Sequence, residues 1–516
     1  MAEPALPSLS MKPIGWFYLL PLIAAIVSFV MMAWVIGSRW DYPYQLDWIE
    51  GSVLHHVVRI TEGKPVYQWP DMTYAPALYT PLYYYLSASF AAVLGKGLPA
   101  LRLVSVLATI GSCFCITCIT WQLTRSKLST ALALFLVAMP FRFTGFWFDV
   151  ARVDSLWAFF LLATVCALVF TGRNPRDNRA VILAALLATC AVFTKQTSLF
   201  MMPFFAITCL LWGSIRSAIL FTLVSAGLIL LTGMYFQWQS NGLFYFITME
   251  MADNHNMTRG IPNHFFKGDL LESVPVFLLF MTYWLIHCCR KSLRTGLGWV
   301  LIVVAISGMT LLARMYAGGF KNVTMPMHFM IVALAVAGFS VSLEALLKST
   351  SRNWFLFPVL FSFLLLMNIV WSFYVPQWFV PNAVDRAYGD ALVQKIAAVP
   401  GRVCLSRDAY LSYLAGKEFC AHETQLTDIL NGDNKAIAES VIADANKRIM
   451  EGYYQVLIVD SLTDLGNYVD VRKIPYAGTP LDLVERNNVF YPINGGPRPH
   501  LWLDLWAERA RRTVPE

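Results

Sequence analysis

Apolar runs of about twenty residues recur from residue 14 to about residue 375, and no other feature narrows the folding options of this chain so far. Such a run matches the roughly 30 Å hydrocarbon layer of a bilayer, which takes about 20 helical residues to cross. Lipid offers no partner for backbone amides, so runs of this kind must be helices. Composition agrees. Of the 516 residues 57% are hydrophobic and 14% charged, against roughly 25% charged in a soluble domain. The first run, Ile14 to Gly37, is too long for a signal-peptide core and has no small-residue cleavage site behind it, so it reads as an uncleaved span.

Eleven spans are expected, near residues 14–37, 102–122, 128–146, 155–171, 180–194, 197–213, 217–236, 272–288, 297–313, 326–347 and 354–375. With the N-terminus in the cytoplasm, the connections on that side carry Lys12; Arg125 and Lys127; Arg173, Arg176 and Arg179; Arg216; Arg290, Lys291 and Arg294; and Lys348 and Arg352. Basic loops belong on the cytoplasmic side. The net charge of +7 therefore reports topology rather than an anionic partner, and no nucleic-acid partner is expected. Thr80 to Gly95 tempts a twelfth span, but a crossing there would send eleven of those twelve basic residues outward. It reads instead as an interfacial or re-entrant helix, with Tyr83, Tyr84 and Tyr85 suited to the headgroup level.

The outer face then receives a long first loop, 38–101, the loop "FDVARVD", a polar and aromatic loop near 237–271, the loop "RMYAGGFKNVTMPMH" and everything after residue 376. The chain divides into a membrane region, 1–375, and a C-terminal region, 376–516, that reads as a small soluble α/β domain. In the latter "RVCLS" and "YQVLIVD" read as strands, with "DAYLSYLAG" and "NKAIAESVIADANKRIM" as helices. It contains no Walker or G-x-G-x-x-G sequence. A disulfide between Cys404 and Cys420 fits an oxidising compartment, and two buried free thiols fit equally well. Cys113, Cys115, Cys118, Cys166, Cys190 and Cys209 lie in apolar runs as small hydrophobes.

Ionisable groups beside lipid are costly and are functional candidates by default. In "YQLDWIEGSVLHH", Asp47 and Glu50 stand three apart, so a helix through both points them to one side, which suits a general base with a neighbour that tunes it. The plain alternative is the wet face of an amphipathic helix. His55 and His56 follow without a metal-binding spacing. In "FWFDVARVDSLW", Asp149, Arg152 and Asp154 form either an internal ion pair or the wall of a pocket shared with Asp47. Lys195 stands alone in a short outer loop, where a lysine either snorkels to headgroups or binds a lipid phosphate. Arg102, Arg314, Lys321, His264 and Lys267 have the same two readings, and together they give the outer face cations for an anionic headgroup. Asp149, Asp154, His264, Lys267 and Tyr83 are the expected pocket residues.

Taken in order, Asp47 and Glu50, "GKPVYQWPDMTYAPALYTPLYYYL", Arg102 in "LRLVS", the Arg-x-Asp of "VARVDSLW", "FTKQT" and "GGFKNVTMP" resemble the membrane glycosyltransferases of the GT-C fold. The resemblance covers roughly residues 10–375 and is to the bacterial branch related to protein O-mannosyltransferases and lipid A aminoarabinose transferases. The C-terminal region is similar to the small periplasmic domain that many bacterial members carry. This resemblance implies a multi-pass enzyme of the bacterial cytoplasmic membrane that moves a sugar from a polyprenyl-phosphate donor to an acceptor hydroxyl on a glycan, lipid or protein, with inversion. It also implies a first-loop carboxylate as general base, carried onto Asp47 first and Glu50 second, because the spacing here is D-x-x-E where many relatives have adjacent Asp-Glu. Lys195, Arg102 and Arg152, with Arg314 and Lys321, are the cations placed to hold the donor phosphate. Oligosaccharyltransferase relatives use a metal with D-x-D motifs; "DVARVD" is not one, so no obligatory metal cofactor is expected.

Two other functions compete. A transporter or flippase for lipid-linked sugars would set its charges near the bilayer midplane, often in interrupted helices. A non-catalytic assembly subunit would keep its function after Asp47→Asn.

Overall fold

The computed structural model describes residues 12–171, 178–251, 257, 260–316, 318–348, 356–405, 407–459, 477–480 and 501–505. In chain order the principal helices of the membrane region are α1 (Lys12–Arg39), α2 (Glu50–Thr61), α3 (Leu82–Leu94), α4 (Leu98–Thr124), α5 (Lys127–Leu136), α6 (Val153–Thr171), α7 (Asn178–Thr194), α8 (Met202–Trp212), α9 (Ile215–Gln239), α10 (Pro275–Lys291), α11 (Leu293–Met315), α12 (Met325–Leu347) and α13 (Leu356–Trp371). The bundle is held by α6 against α4 and α7, α10 against α12, α9 against α7, and α1 against α5 and α13. Close approach comes from small residues, as it does where lipid supplies no hydrophobic drive. A Cβ added at Gly338 of α12 would overlap the Phe280 carbonyl oxygen of α10.

The expected eleven spans are not eleven long helices. Among the described residues six helices are long and apolar enough to cross a bilayer, or up to eight if two bent pairs each count as one span. The pairs are Ile261–Leu271 with α10, bent by 85°, and α13 with Pro376–Ala397, bent by 47°. The other three expected spans fall on shorter pieces. In 128–146, α5 stops at Leu136, and the chain then turns through Pro140–Phe143 to Gly145 and Phe146, both at positive φ. The spans 180–194 and 197–213 become α7 and α8, of 17 and 11 residues, separated by extended Lys195 and the 3₁₀ turn Gln196–Met201. Apolar composition does not register the turn that ends α5 at Leu136, while the break at extended Lys195 falls between the two expected spans. Thr80 to Gly95 yields α3, 13 residues and about 20 Å long at 1.5 Å per residue, short of a bilayer core, and it packs on α2 and α4.

After Pro376 come α14 (Ala383–Ala397), β1 (Val403–Leu405), α15 (Ala409–Leu414), α16 (Glu423–Leu430), α17 (Lys435–Met450), β2 (Val456–Val459), β3 (Ala477–Pro480) and β4 (Leu501–Asp504). The sheet order is β1-β2-β4-β3, with β1 parallel to β2 and β4 antiparallel to both its neighbours. Cys404 of β1 is joined to Cys420 by a disulfide. Tyr44, Leu46, Val53 and Val57 of the first loop share one apolar cluster with Tyr410, Leu411, Leu426 and Ile429, so loop and C-terminal segment fold against each other.

Candidate active site

The first loop leaves α1 through two buried ion pairs. At the end of α1, Arg39 donates to Asp149 at 2.7 and 2.5 Å and to the Phe146 carbonyl at 2.7 Å. Glu50 then meets Arg102 of α4, whose Nε and Nη2 lie 3.0 and 2.6 Å from its two oxygens. The same oxygens accept the Ala151 amide at 2.7 Å and the Leu46 amide at 2.6 Å. Burial alone raises the Glu50 pKa, yet Arg102 and the two amides outweigh it and hold the carboxyl below its ordinary value. Arg102 also donates to the carbonyls of Arg39, Tyr42 and Tyr44. The expected helix through both carboxylates is not formed: α2 begins at Glu50, and Asp47 lies in the turn before it. The two carboxylates therefore face different partners.

Asp47 is fully buried, and its Oδ1 accepts from Arg152 Nη1 at 2.9 Å and from the Ile49 amide at 3.2 Å. From Arg152 the charges continue in alternation. Arg152 Nε stands 3.9 Å from Asp154 Oδ2, and Lys195 Nζ donates to Asp154 Oδ1 at 2.8 Å. Local structure explains the placement. Asp154 sits in the first turn of α6, where the helix dipole favours a carboxylate. Arg152 precedes that helix, and Lys195 is the extended residue that ends α7. Aromatic rings wall the cations: Trp147 lies 4.9 Å from the Arg152 guanidinium, and Trp157 and Tyr79 lie 4.7 and 5.4 Å from the Lys195 ammonium. The Tyr79 hydroxyl also accepts from Arg152 at 3.4 Å. Burial works against the Arg152 charge, but Asp47, Tyr79 and Asp154 raise its pKa, so it stays a cation. Two carboxylates and two cations make the tetrad neutral as a unit. Beside it, Asp154 Oδ2 and Asn322 Oδ1 are buried acceptors with no hydrogen-bond donor among the described residues.

Of the residues expected at the site, Asp47, Arg152, Asp154 and Lys195 come together. Arg102 is taken by Glu50 and Asp149 by Arg39, so these groups brace the loop. Tyr83 ties α3 to α4 through the Leu101 carbonyl at 3.0 Å and Ser105 at 2.9 Å. Arg314 pairs with Asp269 at 3.0 Å in a separate cluster, with His264 3.9 Å away on the same carboxylate. The side chains of His264 and Lys267 are 55% and 72% exposed. Lys321 is exposed and heads the 3₁₀ turn Lys321–Thr324, which carries Asn322 toward the tetrad. Tyr79, Trp147, Trp157 and Asn322 were not singled out by sequence. Trp147 and Trp157 flank Arg152 at five residues on either side, a signal that was legible; Tyr79 and Asn322 carry none.

Among the described residues no group of three or more His, Cys, Asp or Glu side chains is placed to hold a metal ion. Asp47 and Asp154 have the Arg152 guanidinium between them, a donor set that does not fit a divalent cation.

The fold is that of a polytopic membrane chain with the GT-C architecture. The chain is similar to ArnT from Cupriavidus metallidurans in the apo state, with TM-score 0.56 and 10% identity over 98% of this chain and 99% of that one. It is similar also to the same protein bound to undecaprenyl phosphate, with TM-score 0.52 and 10% identity over 96% and 98%. A third similar structure is the archaeal oligosaccharyltransferase AglB from Archaeoglobus fulgidus in complex with an inhibitory peptide and a dolichol-phosphate, with TM-score 0.53 and 11% identity over 90% of this chain and 72% of that one. No family model matches the sequence, and no curated protein matches it. At these identities the likeness establishes the fold.

Proposed function

We propose that this chain transfers a sugar from a polyprenyl-phosphate donor to an acceptor hydroxyl at the outer face of a bacterial cytoplasmic membrane, with Asp47 as the general base. In this reading residues 1–375 form the catalytic membrane region and 376–516 an outward-facing domain. The observation that carries it is the buried tetrad, in which Asp47 is joined through Arg152 to Asp154 and Lys195. ArnT bound to undecaprenyl phosphate and AglB with dolichol-phosphate support a lipid-phosphate donor.

A sugar hydroxyl is a weak nucleophile and needs a base within hydrogen-bond reach. Asp47 takes the acceptor proton as the acceptor oxygen bonds to the anomeric carbon. The bond from that carbon to the phosphate oxygen breaks, its electron pair stays on the phosphate, and the anomeric configuration inverts. The phosphate charge grows by one, and cations already in place lower that barrier. Because the resting tetrad is neutral, an arriving phosphate must share Arg152 or Lys195 with a carboxylate. Sharing Arg152 loosens its hold on Asp47 and raises the basicity of that carboxylate when the donor is present. Lys321, exposed at the head of the turn that carries Asn322, supplies the additional positive charge. Asp154 Oδ2 and Asn322 Oδ1, which receive no hydrogen bond among the described residues, suit sugar hydroxyls. Glu50, saturated by four donors, is structural in this scheme.

The test is to supply the purified protein with a panel of polyprenyl-phosphate sugars and membrane extract and to compare wild type with Asp47→Asn. Undiminished transfer by the variant would exclude Asp47 as the base.

A further inference from the structure

The stretch that carries Asp47 is gripped from the C-terminal segment. Two residues before Asp47, the Gln45 amide donates to the Tyr410 hydroxyl at 2.9 Å and Gln45 Nε2 donates to Asp408 Oδ1 at 2.6 Å. Gln45 Oε1 accepts the Gly51 amide at 2.6 Å, closing the stretch on itself. One residue after Asp47, the Trp48 carbonyl accepts from His422 Nε2 at 3.0 Å. Further on, the Gln425 side chain donates to the Ser52 hydroxyl. All five gripping residues, Gln45, Asp408, Tyr410, His422 and Gln425, are buried. The fit is close enough to demand glycine at position 51, where a Cβ would stand 2.6 Å from both Gln45 Oε1 and the Tyr410 ring.

The grip is itself braced. The Cys404–Cys420 disulfide closes a 16-residue separation that contains Asp408 and Tyr410, and His422 follows it by two residues. His422 Nδ1 accepts the Thr424 amide at 3.2 Å, which leaves the ring proton on Nε2 for Trp48. Arg102 holds the Tyr44 carbonyl and Arg152 holds the Asp47 carboxylate, so the C-terminal contacts grip the same stretch from its other side.

We propose that the C-terminal segment is a clamp that sets the position of Asp47, with Asp408, Tyr410 and His422 as positioning residues acting through Gln45 and Trp48. The inference rests on the reading of Asp47 as the base. Misplacing a reacting group by 1 Å costs roughly 10²-fold in rate, so loosening the clamp lowers kcat and leaves donor binding, made by other residues, nearly unchanged.

The experiment uses the full chain in detergent or nanodiscs and reads two quantities. Amide hydrogen exchange across residues 44–52 reports the clamp without reference to chemistry, and kcat and donor KM report its consequence. Tyr410→Phe removes only the hydroxyl that receives the Gln45 amide. Asp408→Ala is compared with Asp408→Asn, and His422→Ala with His422→Gln, the second of each pair keeping the required acceptor or donor. We expect faster exchange in 44–52 but not in α4 or α6, a kcat at least about tenfold lower with donor KM within about twofold, and recovery in the conservative variants. Unchanged exchange in 44–52, or a loosened loop with unchanged kcat, overturns the clamp. A wild-type protein that transfers no sugar from any donor while the variants still loosen 44–52 overturns the glycosyltransferase reading and leaves the mechanical clamp in place.

Discussion

Glutamine at position 50 separates a structural carboxylate from a chemical one. Glu50 Oε1 accepts from Arg102 Nε and the Ala151 amide, and Oε2 accepts from Arg102 Nη2 and the Leu46 amide. A glutamine offers one oxygen and one NH₂ group, so whichever way it turns, two donors face a third donor. Orphaned buried donors cost about 1–3 kcal/mol each, and removing one partner of a buried ion pair costs about 3–5 kcal/mol. The two figures overlap because both count Arg102, so the loss is on the order of 4 kcal/mol, or roughly 10³ in the folding equilibrium at 1.4 kcal/mol per tenfold. The damage spreads. Arg102 also holds the carbonyls of Arg39, Tyr42 and Tyr44, so one pair ties together the end of α1, the turn before Asp47, the start of α2 and α4. Thermal unfolding in detergent, followed by tryptophan fluorescence and size exclusion, should place Glu50→Gln well below wild type, with transfer activity remaining per folded molecule. A Glu50→Gln protein that melts like wild type and transfers no sugar would refute the structural assignment and make Glu50 the base.

Further outcomes follow from the same geometry. Lys195→Ala strips Asp154 of its 2.8 Å partner and should lower kcat by about 10² or more, whereas Lys321→Ala, at an exposed site, should raise donor KM and leave the melting temperature alone; initial-rate kinetics and melting curves separate the two. Acid should loosen the first loop, because buried His56 and His422 have pKa values pushed by burial from 6.5 to about 4. Between those values the unfolded chain binds protons that the folded chain refuses, so stability falls as pH drops from about 6.5 to about 4, by on the order of 3 kcal/mol per histidine at the acid end; melting temperature against pH checks this. The Glu50 contribution, with its pKa lowered from 4.5, stays whole down to about pH 4.5 and is lost progressively below it. Gly338→Leu should disrupt the α10–α12 crossing, read as a lower melting temperature and a lower yield of monodisperse protein.

Hydrophobic run length located α1, α4, α6, α9, α11 and α12, because each is an uninterrupted stretch long enough for a bilayer. It does not register the turn after Leu136 that cuts the run 128–146 short, whereas Lys195 falls, as expected, between two runs that become α7 and α8. The choice of Asp47, Arg152, Asp154 and Lys195 was legible because charges beside lipid are conspicuous. Their partners were not. Arg102 looked like a free cation for phosphate, yet Glu50 lies 52 residues away, and Asp149 is claimed by Arg39 at a separation of 110. The clamp lies further beyond local patterning, since Gln45 and Asp408 are 363 residues apart. Periodicity reports which face of an element is apolar, and it carries no information on which distant side chain completes a buried pair.

The most direct test of the account is the rate of sugar transfer from a polyprenyl-phosphate donor by Asp47→Asn, measured beside donor binding on the same preparation. Asparagine keeps an oxygen for the Arg152 guanidinium and the Ile49 amide but cannot take a proton. The account predicts donor binding close to wild type and transfer reduced by about 10²–10⁴, the range that general-base catalysis supplies. Transfer at the wild-type rate with intact donor binding would contradict it.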